Sequence, residues 1–352
     1  MTRRRVNIIF NDDGADHYVL DGRAVRLEEN NVADAVREVD AALRSEGYGT
    51  RVTPLVGADS AVLDGFIRNI KGADELVFNL CESAFGKSSF EMHVAALLEL
   101  YGIEYTGSGP LTLGLALDKG LTKDILNSRD IMTPEYAVLG EPPTKLKRSL
   151  KFPLIVKPLR EDASIGIDSG AVVKTMKALL KRVDFIISTY KQPAIVEEYI
   201  DGREFNIAVL GNGAGARALP PSEIDFTEFP VELPRIVCYE AKWISDSPLY
   251  KKSKPVCPAN IPAALRAELE GVALKACETM GCRDYARVDV RVGEDGNIKV
   301  LEVNPNPDIS RDAGLARAAA AAGLDYPRLI ASIAEAAMDR HSGAPRAGAG
   351  CV

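Results

Sequence analysis

Across residues 1–111, short apolar runs alternate with stretches whose apolar positions recur every three or four residues. That pattern predicts a parallel sheet with crossover helices. The strand candidates are VNIIF (6–10), RVTPLV (51–56) and ELVFNL (75–80), with IEYTG (103–107) as a shorter fourth. Residues 29–46 place Val32, Val36, Val39 and Leu43 on one helical face, and 90–101 do the same with Val94, Leu97, Leu98 and Tyr101. From about Thr112 the texture changes to a helix over 121–129, a strand pair YAVL (136–139) and FPLIVKP (152–158), and a helix over 175–190. AIVEEYI (194–200) and REFNIAVLG (203–211) read as antiparallel strands turning at Asp201-Gly202, because Asp-Gly is a strong hairpin signal.

A Pro-rich, polar stretch at 220–260 precedes a helix over 262–280 and a second hairpin. Its strands, YARVDVRV (285–292) and NIKVLEVN (297–304), turn at residues 294–297. Two alanine-rich helices follow, near 312–322 and 326–339, and the last residues carry too little apolar content to pack. The expectation is an α/β chain of three domains: an N-terminal open parallel α/β domain (1–111), a central α+β unit (112–210) and a C-terminal unit (211–341), with 342–352 as a disordered tail.

Composition narrows the function. Of 352 residues, 46% are hydrophobic and 26% charged, as in an ordinary folded protein. No run approaches the ~20 apolar residues of a membrane span. A net charge of −7 argues against a nucleic-acid partner, which needs a clustered basic surface. Six scattered cysteines form no C-x-x-C pair, which suits free thiols in the cytoplasm. The three histidines lie far apart, so any metal chemistry falls to carboxylates.

The second hairpin carries the best candidates. Arg287 and Asp289 are two apart and leave the same strand face, as do Glu302 and Asn304 on the partner strand. Pairing across the turn gathers a cation, two carboxylates and an amide, oxygen donors of the kind Mg²⁺ takes alongside substrate phosphates. The same spacing also fits a solvent-exposed face of charge pairs. Lys157 ends an apolar strand, where a lysine is costly unless it meets an anion or solvent, and Lys119 stands at a helix start. Both types are common surface residues. Glu197 and Glu204 flank the Asp201-Gly202 turn and could accept hydrogen bonds from an adenine amine and ribose hydroxyls. No Walker-type or G-x-G-x-x-G fingerprint is present, so a nucleotide must be held in another way.

Taken in order, LELYGIEYTGSG (98–109), LALDKGLTK (115–123), PLIVKP (153–158), VEEYIDGREFNIAVLGN (196–212), YEAKW (239–243), ARVDV (286–290) and LEVNPNPDIS (301–310) resemble the D-alanine–D-alanine ligase branch of the ATP-grasp superfamily. The resemblance implies three-domain ATP-grasp architecture and an ATP-dependent enzyme. Such an enzyme joins a carboxylate to an amine through an acyl phosphate, releasing ADP and phosphate. By that resemblance Lys119, Lys157 and Lys242 bind ATP phosphates. Glu197 and Glu204 are the adenine-side and ribose acids, the 198–200 backbone (Glu198, Tyr199, Ile200) runs along the base edge, and Leu301 is a further ATP-binding residue. Asp289, Glu302 and Asn304 hold two Mg²⁺ ions, with Mn²⁺ an acceptable substitute, and Arg287 stabilises the tetrahedral intermediate. Glu28 takes the position of the acid that holds the first substrate's amino group. A homodimer is implied on the same ground.

The departures cluster at the substrate site. Ala163 replaces a serine of the loop before Ser164, and Trp243 stands where the family has a tyrosine; the Trp243 ring suits lid packing or specificity equally. CESAFGKSSFE (81–91) has Phe85 near a family histidine, and Asp308 replaces a glycine ahead of Ala313-Gly314. The expected reaction is therefore ligation of an amino-acid-like carboxylate to an amine with a product other than D-alanyl-D-alanine. A true D-alanine–D-alanine ligase and a nucleotide-binding regulator without turnover are the rivals.

Overall fold

The computed structural model describes residues 5–12, 17–20, 23–26, 31–57, 60–71, 75–244 and 246–343. Its first unit is a parallel sheet in the order β4-β1-β5, with β1 (Arg5–Asp12) between β4 (Thr50–Val56) and β5 (Glu75–Leu80). A small ribbon, β2 (His17–Leu20) and β3 (Arg23–Arg26), precedes α1 (Asn31–Ser45), whose Val36, Val39 and Leu43 are buried as the periodicity predicts. Helices α2 (Ser60–Ile70) and α3 (Glu91–Leu100) close another core with Ile9, Leu55 and Leu98. IEYTG adds only an isolated parallel bridge, Val77 to Tyr105, and does not form a fourth strand.

Helices α4 (Pro110–Leu117) and α5 (Lys119–Asn127) lead into the central sheet. That sheet contains β6 (Tyr136–Leu139), β7 (Leu154–Pro158), β8 (Val172–Val173) and β9 (Ala194–Glu198), in the order β6-β9-β7-β8. The expected direct pairing of YAVL with FPLIVKP is overturned, because β9 runs between them and bonds to both. α6 (Met176–Tyr190) covers one face with Leu179, Val183 and Ile186, and the Thr175 side chain caps its N-terminus.

The third sheet contains β10 (Gly202–Leu210), β11 (Arg217–Ala218), β12 (Ser222–Asp225), β13 (Lys254–Val256), β14 (Tyr285–Gly293) and β15 (Ile298–Asn304). Its order is β13-β12-β10-β14-β15, with β11 also on β10. The second hairpin is present, with Asp289 opposite Glu302 and Arg287 opposite Asn304. The Asp201-Gly202 hairpin is not. β10 pairs along its whole length with β14, in a different sheet from β9, so residues 202–210 share the sheet of the C-terminal unit. The glycine serves close strand approach: a Cβ on Gly202 would fall 2.1 Å from the Val292 carbonyl oxygen.

Between β12 and β13 the chain makes two short helices, α7 (Tyr239–Trp243) and α8 (Pro248–Lys252). Phe226, Phe229, Cys238 and Leu249 of this strap pack on Ile155 and Ala171 of the central unit. α9 (Ala263–Met280) backs the third sheet. The last helices, α10 (Gly314–Ala321) and α11 (Tyr326–His341), return to the beginning of the chain, where Leu329, Ile330 and Ile333 share one core with Val6, Leu43 and Phe78. Asp284, fully buried, ties this junction together. Its carboxylate accepts from Gly107 N at 2.8 Å, Asn212 Nδ2 at 2.7 Å and Arg340 Nη2 at 2.9 Å.

Candidate active site

Three elements converge where the central and third sheets face one another. The first is the metal-type cluster on β14 and β15. Arg287 grips Asp289 with two hydrogen bonds of 2.8 Å and lies 3.9 Å from Glu302. Asn304 Nδ2 donates to Asp289 at 3.1 Å and to Glu302 at 3.4 Å. Asn206 on β10 adds a 2.6 Å bond to Asp289. The solvent-exposed alternative is thereby excluded for Asp289, which is buried. Burial pushes its carboxyl up and Glu302 adds to that, against the pull of Arg287. Burial acts the same way on Glu302, but Lys119 foremost, with Asp289, Arg287 and Lys157, holds it below the usual range.

The second element is a set of lysines around one carboxylate. Lys119, at the first turn of α5, reaches the Glu161 carbonyl and lies 3.6 Å from Asp162 in the loop after β7. Burial alone would lower its ammonium, yet Asp162, Glu302, Glu197 and Glu161 raise it. Lys157, at the end of β7, meets Glu197 Oε2 at 2.8 Å. Glu197 Oε1 is 3.1 Å from Lys123, a residue the sequence reading passed over, in ion-pair reach but without hydrogen-bond geometry. The two lysines outweigh the burial of Glu197 and bring its carboxyl down to about 2. Lys123 Nζ also donates to the Leu301 carbonyl at 3.0 Å, which accounts for Leu301 at the site. Its ammonium is lowered by burial.

Glu204 corrects the sequence reading. It does not pair with Glu197 across a turn; buried Arg291 holds it at 2.7 and 3.0 Å and also donates to the Ile200 carbonyl at 2.6 Å. The Glu198 and Tyr199 amides bond the Glu135 and Pro153 carbonyls, and the Glu198 side chain pairs with Lys299 at 2.7 Å. What this stretch can offer a base edge is narrower than three free peptide units.

The third element is the strap. Ser164 Oγ donates to the Val237 carbonyl at 2.8 Å, Tyr239 N to Ile167 O at 2.9 Å, and Trp243 Nε1 to Ala163 O at 2.9 Å. The loop after β7 and the strap are thus laced together, although Ala163 lacks a hydroxyl, because its backbone carbonyl serves instead. Ala163 and Ser164 both have positive φ, 54° and 62°, a left-handed pair of the kind that accumulates at functional loops. Lys242 sits 5.3 Å over the Trp243 ring, and burial foremost, then Arg287, lowers its ammonium.

Of the positions that the resemblance gives to substrate, Phe85 has φ 56° and stacks edge-on with Phe90 at 6.4 Å. Asp308 is exposed and accepts from Ser310 N and Oγ at 2.8 and 2.6 Å. Glu28 lies outside the described residues. An acid that sequence reasoning missed is Glu91, which accepts from Asn306 at 2.9 Å and, with Ser88, Ser89, Asp162 and Asn304, lines a cavity of about 30 Å³. Burial chiefly pushes its carboxyl up to about 8. Nothing in a lone F-E-M triplet distinguishes Glu91 from a surface glutamate; only the meeting of α3 with the end of β15 does.

The family model described as D-ala D-ala ligase C-terminus matches residues 126–335. The chain belongs to the D-alanine–D-alanine ligase family. A D-alanine–D-alanine ligase of Marinomonas sp. is 33% identical over 85% of this chain and 88% of its own. An uncharacterized protein, y4sG, of Sinorhizobium fredii is 37% identical over 76% of each chain. The crystal structure of the Bacillus anthracis D-alanine–D-alanine ligase complexed with ATP shares the fold, with TM-score 0.70 at 23% identity over 98% of this chain and all of that one. As a member of this ligase family, the chain is an ATP-dependent, ADP-forming carboxylate–amine ligase. Among the described residues no helix is long and apolar enough to cross a membrane, and Cys81, Cys238, Cys257, Cys277 and Cys282 are free.

Proposed function

We propose that the enzyme activates an amino-acid-like carboxylate as its acyl phosphate and joins it to an amine, giving a dipeptide or amino-acid conjugate other than D-alanyl-D-alanine. The observation that carries the reading is the cross-strand cluster of Asp289, Glu302, Asn304 and Arg287 opposite Lys119. The donor set fits a hard divalent cation. The Asn304 amide N–H₂ donates to both carboxylates, and turning the side chain over would present its oxygen to a cation held between them instead. Among the described residues no three acidic, His or Cys side chains gather into a metal group, which suits an ion that draws its other ligands from phosphates and water. A bound Mg²⁺ would neutralise phosphate oxygens there. The chain's own part is positioning and charge: Lys119, Lys157 and Lys242 face the triphosphate, and Arg287 stabilises the oxyanion formed when the amine attacks. Glu197 Oε1, buried 3.1 Å from the Lys123 ammonium but outside hydrogen-bond geometry, keeps lone pairs for an adenine amine.

The changed substrate positions, Phe85, Trp243 and Asp308, support a product other than the one the relatives are named for. A screen of ADP release over paired carboxylates and amines, with mass analysis of the product, tests both statements. D-alanine alone giving fast turnover and dipeptide would reverse the second. Glu302→Ala is expected to lower the rate by at least on the order of a hundredfold, and near-normal turnover would overturn the metal assignment.

A further inference from the structure

Lys123 is buried as deeply as any charged group near the site, at 1% exposure, and the ligase reading above gives it no task. It stands one helical turn after Lys119 on α5, and its ammonium is held from two sides, by Glu197 on β9 and by the Leu301 carbonyl on β15. Lys157 shares the same carboxylate from β7, but with 12% exposure and at the strand end that opens into the loop carrying Glu161 and Asp162. One buried carboxylate therefore carries two ammonium groups.

The arrangement becomes purposeful when Lys157 is given its place at the triphosphate. To reach phosphate oxygens Lys157 has to release Glu197, and a buried carboxylate abandoned by its only partner is strongly destabilising. Lys123, with no route to solvent, would stay behind. We propose that Lys123 is a positioning residue, the resident counter-ion of Glu197, which lets Lys157 move from Glu197 to the nucleotide while the Glu197 carboxylate stays ionised and in place. The inference rests on the reading of Lys157 and Glu197 as nucleotide contacts. Its bond to Leu301, one residue before Glu302, further ties that carboxylate to the strand bearing the metal-type cluster.

The test is a double-mutant cycle read by ATP binding with Mg²⁺ in titration calorimetry, using the full chain. Wild type is expected to bind, and failure there would refute the nucleotide reading itself. Lys123→Met is expected to weaken binding about thirtyfold or more, since release of Lys157 then strands Glu197. Lys123→Arg is expected to stay within about threefold of wild type, because the charge is kept. The deciding arm removes the carboxylate's charge: Lys123→Met combined with Glu197→Gln is expected to bind within about threefold of Glu197→Gln alone. A merely structural lysine would lower the unfolding stability of Lys123→Met and leave the ATP affinity of the folded protein within about threefold of wild type. Multiplication of the losses, or wild-type affinity in Lys123→Met, overturns the proposal. The double mutant carries no stranded charge, so the deciding comparison survives even if Lys123→Met does not fold.

Discussion

Removing the Trp243 indole N–H while keeping an aromatic ring is a graded test of the strap. In Trp243→Phe the 2.9 Å bond to the Ala163 carbonyl is lost, and a six-membered ring remains under Lys242. A neutral hydrogen bond contributes about 1 kcal/mol net. Trp243 is 37% exposed, so water can take over the abandoned carbonyl and no larger penalty is expected. At 1.4 kcal/mol per factor of ten, the laced state should lose roughly fivefold in population relative to the open one. Ser164→Ala removes the 2.8 Å bond to Val237 and should cost about the same; together, with independent bonds, the loss is about twenty-five- to thirtyfold. The assay is the ATP KM and kcat of the three variants beside limited proteolysis of the strap. If the strap only covers the nucleotide, KM rises by these factors, kcat at saturating ATP stays within about twofold, and cleavage after Lys251 or Lys252 quickens. A tenfold fall in kcat at unchanged KM would refute the reasoning and place Trp243 against the reacting groups. No change in any readout would show that the strap's closure does not depend on these bonds.

Two further outcomes follow from buried charge. Glu91 has a folded-state carboxyl raised from 4.5 to about 8, chiefly by burial, so the stability it confers is complete below the unfolded value and is lost as pH rises towards 8. Glu91→Gln should therefore match wild type near pH 4 and exceed it near pH 9 by on the order of 4 kcal/mol in urea unfolding; equal stability at pH 9 would contradict the buried carboxyl. Asp284→Asn keeps a side chain that tolerates the φ of 64° but removes the charge that satisfies Arg340. It should cost about 3–5 kcal/mol by the same measurement, and a loss under about 1 kcal/mol would show that the junction tolerates an unpaired Arg340.

The hydrophobic periodicities were legible within single elements, and strand pairing was legible for the hairpin of β14 and β15. β14 and β15 formed as expected, and with them the clustering of Asp289, Glu302 and Asn304. α6, α9 and α11 also lie where the periodic runs put them. What was not legible is partner choice over distance. Asp201-Gly202 has the chemistry of a turn, yet Gly202 is needed for contact with Val292, ninety residues on in the chain, and β9 finds its neighbours on both sides in β6 and β7. The same limit hid Lys123 and Arg291. Each is one cation among many in the sequence, and only the packing of α5 and β14 against distant strands turns Lys123 towards Glu197 and Arg291 towards Glu204. The cavity beside Glu91 was the least legible, because Glu91, Asp162 and Asn304 come from three separate segments.

That α11 fills the core beneath β1 and β5 has a consequence for how the molecule is made. A nascent chain usually completes its leading domain while the rest is still being synthesised. Here α1 covers part of the face carrying Val6 and Phe78, but the core is completed only when Ile330 and Ile333 have left the ribosome, so the packing of the leading domain is finished by one of the last helices made.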